Sequence, residues 1–301
     1  MCLVRRKVQS RPLVPVRSLL ITTTVCGMLV SGCAARSSSP VHRETTVAAP
    51  STTTPPPTAR PAPDQITATG CTRLLNLVPT PVPTDARVFG HSATGEELIV
   101  EHWGPTNGTQ ILILAQVHGD ECGGLLLTQS IRERPPTRFG VWLVPTLNPD
   151  GAAAFTRKNG VRDLNRDGLT RSQPETRALL ELTATVRPDL TLHVHSPYGW
   201  VGFYGASLAR DVAVRVADEM YRATPRFAGS GYGFLWEGQS EVLANHASVL
   251  LEFPAAFAVE AATAPLAEQR RTATLPELHQ YVARLRTALD AVLSTPGSPP
   301  G

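Results

Sequence analysis

The sequence predicts a single-domain α/β/α sandwich with a mixed, mostly parallel central sheet, and two observations carry that expectation. Over residues 70–293 short apolar runs alternate with helical stretches, the pattern of strands covered by helices on both faces. The same stretch is long enough for one sizeable core, and it contains neither an internal repeat nor a second domain. In chain order, Arg87–His91 and Leu98–Trp103 read as the first strands, followed by the apolar run Ile111–Val117 as a buried one. A helix is expected over Gly123–Arg132, a strand over Gly140–Pro145 and a helix over Pro174–Val186. Asp189–His195 is another apolar strand, broken by Ser196 and Pro197. Strands over Val201–Tyr204 and Ser248–Phe253 and helices over Leu208–Arg222 and Leu275–Leu293 complete the domain.

The ends of the chain read differently. Residues 1–32 form a targeting signal: Arg5, Arg6, Lys7, Arg11 and Arg17 make its basic region, and Leu19–Val30 is apolar but too short to span a bilayer comfortably. Val30-Ser31-Gly32-Cys33 resembles a bacterial lipobox. Cleavage before Cys33 and its acylation would leave an exported protein anchored to the outer face of the cell membrane, since two acyl chains give stable attachment. Residues 33–69 are rich in Ser, Thr, Pro and Ala, cannot bury a core, and read as a disordered tether. Residues 294–301 read as a short disordered tail.

Charge and cysteine usage follow from that division. The whole chain has 28 basic and 25 acidic residues, but five basic residues leave with the signal, so the mature form carries a net charge of about −2. Nothing in that balance points to nucleic acid. Cys2 and Cys26 leave with the signal and Cys33 is the lipidation candidate, which leaves Cys71 and Cys122 in an exported domain. An even pair in that compartment reads as a disulfide, with two buried thiols as the alternative.

The chemistry lies between Val117 and Ser196. His118-Gly119-Asp120-Glu121 follows an apolar strand and precedes a helix, at the strand's carboxyl end, where ligands bind in open α/β sheets. A catalytic zinc takes three nitrogen or oxygen ligands and keeps one position open for water, and His118, Glu121 and His195 would supply them. His193 and His195 share one face of their strand. His195 is preferred because it lies nearest the strand's end. Asn148-Pro149-Asp150-Gly151 reads as a structural turn. Read alone, Arg157 and Lys158 are an ordinary solvated pair. Glu252, between Leu251 and Phe253 in an apolar strand, should be costly to bury without a partner or a task.

Taken in order, these pieces resemble the zinc carboxypeptidases of the carboxypeptidase A superfamily, nearest in style to short bacterial members of the murein peptide amidase type, over most of residues 86–293. Gly90–Ile99 resembles that family's opening hairpin, Ser172–Ala178 its Ser-Glu-Pro-Glu-Thr helix start, and Leu250-Leu251-Glu252-Phe253 the strand of its catalytic glutamate. The resemblance implies that His118, Glu121 and His195 bind one zinc ion per chain and that Glu252 activates the attacking water. It implies that Arg157 polarises the scissile carbonyl, that Asn165 and Arg166 clamp a substrate carboxylate, and that Asp163 supports the far nitrogen of His118. Tyr232, inside Gly229-Ser230-Gly231-Tyr232-Gly233, is the candidate for the family's mobile substrate-binding tyrosine, with Tyr198 and Tyr204 as runners-up. Asp167-Gly168-Leu169-Thr170 departs from the family's usual Asn-Phe-Pro continuation, which bears on specificity more than on catalysis. Glu237, on an expected Trp236-Glu237-Gly238 turn fifteen residues before Glu252, is a candidate lining residue for a basic side chain, against a solvated loop glutamate.

The expected function is therefore zinc-dependent hydrolysis of peptide bonds near a free carboxylate, in cell-envelope peptides of the peptidoglycan stem, by a monomer held at the membrane. Two other classes remain open from sequence. A lipoprotein that binds envelope peptides without cleaving them has no need of Glu252. A zinc deacylase of small N-acyl amino acids shares His-x-x-Glu and an Asn-Arg pair, but the Ser172–Thr176 segment and the envelope address disfavour it.

Overall fold

The computed structural model describes residues 83, 85–254 and 273–294. The expected signal, lipobox Cys33, tether, Cys71 and the tail beyond Ser294 lie outside the described residues. Eight strands form one mixed sheet in the order β1-β2-β4-β3-β5-β8-β6-β7. They are β1 (Arg87–His91), β2 (Glu97–Trp103), β3 (Gln110–Leu114), β4 (Gly140–Val144), β5 (Leu190–His195), β6 (Tyr198–Tyr204), β7 (Arg226–Phe227) and β8 (Ala247–Pro254). The centre of the sheet, β4-β3-β5-β8, is parallel, while β1, β2 and β6 join through antiparallel pairs.

The described helices are α1 (Gly123–Glu133), α2 (Pro149–Ala154), α3 (Pro174–Val186), α4 (Ser207–Tyr221), α5 (Leu235–Val242) and α6 (Leu275–Leu293). Their starts follow from sequence. Pro174 and Glu175 occupy the first turn of α3, where a missing N–H and a negative charge are both favourable. Thr274 and Glu277 form a capping box on α6, with the Glu277 carboxylate accepting from the Thr274 N–H at 2.7 Å.

Strand alternation divides the interior. Leu190, Leu192 and Val194 of β5 and Ile111 and Ile113 of β3 join a large apolar core with residues of α1, α4 and α6. Leu112 and Leu114 face a smaller core with Leu179 and Leu182 of α3 and Leu235 of α5. Burying each such side chain stabilises the fold by about 1.5–3 kcal/mol.

Several boundaries differ from the sequence expectation. The strand expected over Ile111–Val117 ends at Leu114 because its parallel neighbour ends at Val144, and after Ala115 donates to Val144 O the chain turns away. The Asn148–Gly151 turn is the start of α2: Asn148 caps it, its Oδ1 accepting from Gly151 N at 2.8 Å. The Trp236–Gly238 turn lies within α5. β6 begins three residues earlier than expected, since β8 pairs with it from Tyr198 onward. The two-residue β7 is too short to leave a period in the sequence.

Candidate metal centre and active site

The turn after β3 carries His118 and Glu121, and close backbone packing holds it. A Cβ at Gly119 would lie 2.0 Å from the Gly151 carbonyl carbon, so only glycine lets this loop approach α2. Gln116 Nε2 donates to Gly119 O at 3.0 Å from inside the same turn. His195 comes from the last residue of β5. His118, Glu121 and His195 are all buried, and one ligand atom from each lies within 4.8 Å of the others.

Their donor atoms converge. His118 Nδ1 is 2.8 Å from Glu121 Oε1 and 3.2 Å from His195 Nδ1, and His195 Nδ1 is 3.0 Å from Glu121 Oε2. On the far side of the ring, His118 Nε2 is 2.9 Å from Asp163 Oδ1. That carboxylate fixes the ring so that Nδ1 faces the cluster, the arrangement that orients a histidine ligand. Two imidazole nitrogens and a carboxylate suit a zinc-type cation, and His193 is no part of the set. The His193 ring is fully buried, edge-on to Trp236 at 5.7 Å; Gln239 is its polar neighbour, but no hydrogen bond of normal geometry reaches either ring nitrogen.

Electrostatics tie the cluster together. Burial works against charge on His118, but Glu121 and Asp163 outweigh it and raise its pKa from 6.5 to about 9. Burial likewise works against the Glu121 carboxylate, yet His118 and His195 hold it well below the usual range. Asp163 is held low in the same way, burial being overcome first by the His118 hydrogen bond and charge and then by Arg157. Arg157 bridges both carboxylates, with Nη1 donating to Glu121 Oε1 at 2.9 Å and Nε to Asp163 Oδ2 at 3.1 Å. It is therefore not a freely solvated cation. Asn148 Nδ2 donates to Arg157 O at 3.1 Å, so the capping residue of α2 also fixes the arginine's backbone.

Glu252 stands beside the cluster because β5 and β8 are in register, His195 opposite Glu252. Burial, and then the charge of Glu121, push its carboxyl up to about 8, and its Oε2 is buried without a hydrogen-bond partner. Trp200 faces it from β6 on the other side. A half-buried carboxyl with one buried, unused oxygen, next to cation ligands, is poised to take and return a proton.

The remaining residues occupy a rim. Asn165 is buried, with Nδ2 3.5 Å from His195 Nε2, Oδ1 unpartnered and its backbone N–H on Asp163 Oδ1 at 2.9 Å. Arg166 ends the short 3₁₀ turn Leu164–Arg166 and is exposed, its guanidinium over the Phe234 ring at 4.2 Å. Tyr232 is 69% exposed between Gly231 and Gly233, both at positive φ, with its ring 5.7 Å from Phe234. Tyr198 is partly exposed at the start of β6, whereas Tyr204 lies four residues further along the strand from Trp200, the register partner of Glu252.

Glu237 needs correction on both of its expected readings. It is neither a solvated loop glutamate nor a pocket carboxylate with oxygens to spare: it is buried in the first turn of α5. Its Oε2 accepts from Phe234 N at 2.7 Å and its Oε1 accepts from Gly231 N. Sequence spacing alone could not reveal this, because the two N–H groups become neighbours only when the glycine-rich loop folds onto the helix. Aromatic residues beside glycines carry no distinguishing pattern, so the roles of Phe234 and Trp236 emerge only from the fold. Cys122, the residue before α1, is disulfide-bonded, and its partner lies outside the described residues.

No protein-family model and no curated protein sequence matches the chain. Solved structures do. The metallo-carboxypeptidase from Burkholderia cenocepacia superposes with a TM-score of 0.53 at 13% identity, over 76% of this chain and 68% of that one. Carboxypeptidase A from Helicoverpa armigera gives 0.51 at 17% identity, over 68% of each chain. The murein-tripeptide amidase MpaA from Escherichia coli O157 gives 0.49 at 20% identity, over 69% of this chain and 93% of that one. With its sheet order and its buried His-Glu-His cluster at the carboxyl ends of β3 and β5, the chain has the fold of the metallo-carboxypeptidases.

Proposed function

We propose that the chain is a zinc-dependent metallopeptidase or amidase that hydrolyses an amide bond close to a free carboxylate. The observation that carries this reading is Glu252: a half-buried residue whose Oε2 is buried without a hydrogen-bond partner, set by strand register beside the His118, Glu121 and His195 cluster. A pure binding protein gains nothing from that costly burial.

His118 Nδ1, His195 Nδ1 and the Glu121 carboxylate would hold the zinc, with Asp163 fixing the His118 ring. Zinc bound there supplies Lewis acidity, polarising a carbonyl and lowering the pKa of water. Glu252 takes the proton of the attacking water and delivers it to the leaving amine. Arg157, fixed on Glu121 and Asp163, offers positive charge to the oxygen on which negative charge develops. Arg166, exposed at the rim, offers its N–H fork to the substrate carboxylate.

The substrate class is a cell-envelope peptide, the peptidoglycan stem, met at the outer face of the membrane. Support for it is the amino-terminal signal, the Val30–Cys33 lipobox and the tether that follows. The same reading pairs Cys122 with Cys71, so that the amino-terminal segment is tied to the metal loop. The test is incubation of the zinc-loaded domain with purified muropeptides and with carboxyl-terminal model peptides, followed by mass spectrometry. Loss of one carboxyl-terminal residue identifies a carboxypeptidase, and release of a diaminopimelate-containing fragment identifies an amidase at the γ-D-glutamyl bond. Binding of either without any product would establish the non-catalytic lipoprotein instead.

A further inference from the structure

The arginine proposed to meet the substrate carboxylate does not stand alone. Its guanidinium lies over the Phe234 ring at 4.2 Å, and Phe234 stacks in turn on Trp236 at 4.0 Å with their planes 15° apart. Trp236 is buried, and its Nε1 donates to Gly229 O at 3.2 Å. Glu237 accepts the backbone N–H groups of Phe234 and Gly231, which fixes the ring from its main chain.

The two segments are also locked to one another. Gly168 N, two residues after Arg166, donates to Gly233 O at 2.7 Å. A Cβ at Gly168 would lie 2.0 Å from Phe234 O, so backbone packs directly on backbone there. The stack thus runs from Trp236, buried at its base, to Arg166, exposed at its top.

That arrangement has a chemical consequence. Arginine is rich in rotamers, and Asp163 is a nearby carboxylate of opposite charge that attracts Arg166. A guanidinium drawn onto Asp163 would turn its N–H edge inward, away from an arriving carboxylate. Held by its face on an aromatic ring, it keeps its edge N–H groups for a carboxylate, and one of them is already fixed on Asn165 O at 3.0 Å.

We propose that Phe234 is a positioning residue for carboxylate recognition: its ring, clamped by Trp236 and Glu237, holds Arg166 ready for the free carboxylate of the substrate. The inference rests on the reading of Arg166 given above. Phe234→Met keeps the apolar bulk but removes the π face, and Phe234→Tyr keeps both.

The experiment measures KM and kcat for zinc-loaded wild type, Phe234→Met and Phe234→Tyr. The probes are L-alanyl-γ-D-glutamyl-diaminopimelate and hippuryl-L-phenylalanine, each as the free carboxylate and as the carboxamide. Phe234→Met should raise KM for the carboxylate about three- to thirty-fold, the scale of a cation–π contact, with kcat within about twofold. Phe234→Tyr should match wild type, and the carboxamides should be insensitive to either change. In an Arg166→Ala background Phe234→Met should add less than about twofold, because the stacked cation is already gone. A wild type that does not prefer carboxylate to carboxamide overturns the reading of Arg166 and this inference with it. A wild type with that preference and an unchanged Phe234→Met, or equal losses on both probe forms, overturns the role of Phe234 alone.

Discussion

The two faces of the central sheet use the same strands for different ends. On the face toward α1, α4 and α6, β5 presents Leu190, Leu192 and Val194 to a continuous apolar core. On the opposite face the same strand presents Thr191, His193 and His195, and β8 adds Ser248 and Glu252, on the side where the apolar clusters are smaller. Buried polar groups on this second face include atoms with no hydrogen-bond partner, in His193, Ser248 and Glu252. Such groups cost stability. The contrast indicates that the first face carries the fold and the second gives up some of its stability to hold chemistry at the carboxyl ends of the strands.

That contrast can be broken most sharply at its top. His195→Ala should strip stoichiometric zinc from the purified domain and with it all activity, while His193→Ala, two residues down the same face, should retain the metal. Full zinc content in His195→Ala by metal analysis would remove His195 from the site. Next in size, Glu252→Gln should keep fold and zinc but lower turnover by at least about a hundredfold, the scale of a lost general base. Unchanged hydrolysis would mean that the unpartnered oxygen of Glu252 has no part in the reaction.

Proton and zinc compete for His118, and the sign can be worked out. Its folded-state value of about 9 lies above the ordinary 6.5, so its charged pairing stabilises the metal-free fold fully below about 6.5 and is lost as the pH rises through about 9. Zinc must displace that proton. Apparent zinc affinity should therefore strengthen by about tenfold per pH unit between about 6.5 and 9, read by chelator competition at several pH values. A flat profile would show that no proton is displaced there.

The smallest effect lies on the apolar face. Leu192→Ala should cost about 2–5 kcal/mol in urea unfolding yet leave zinc binding intact, because it removes core volume and no donor atom. His193→Leu, a near volume-conserving change on the other face, should stay within about 1.5 kcal/mol of wild type. If the histidine replacement proved the more damaging of the two, the division of labour between the faces would be wrong.

Legibility in the sequence followed the range of the interaction. The runs Ile111–Ala115, Asp189–His195 and Ser248–Phe253 were readable as strands because two-residue periodicity and apolar content are local properties. Helix α3 was readable from Pro174, and His118 with Glu121 could be picked out because they lie three residues apart at the end of a strand. By contrast, Asn148 read as a turn residue and Glu237 as a pocket or loop residue. The partners of each, Arg157 O for one and Gly231 N for the other, are set by how separate segments cross.

The sequence by itself determined which residue types could hold a cation, which strands would carry them and at which end, since alternation and strand breakers act within a few residues. Only the tertiary structure decided that Arg157 is held between Glu121 and Asp163, that His195 and Glu252 stand in register, and that Arg166 rests on Phe234. Those contacts join residues far apart in the chain. Their geometry is fixed by sheet register and by glycines that let backbones meet, and neither leaves a mark that can be read one segment at a time.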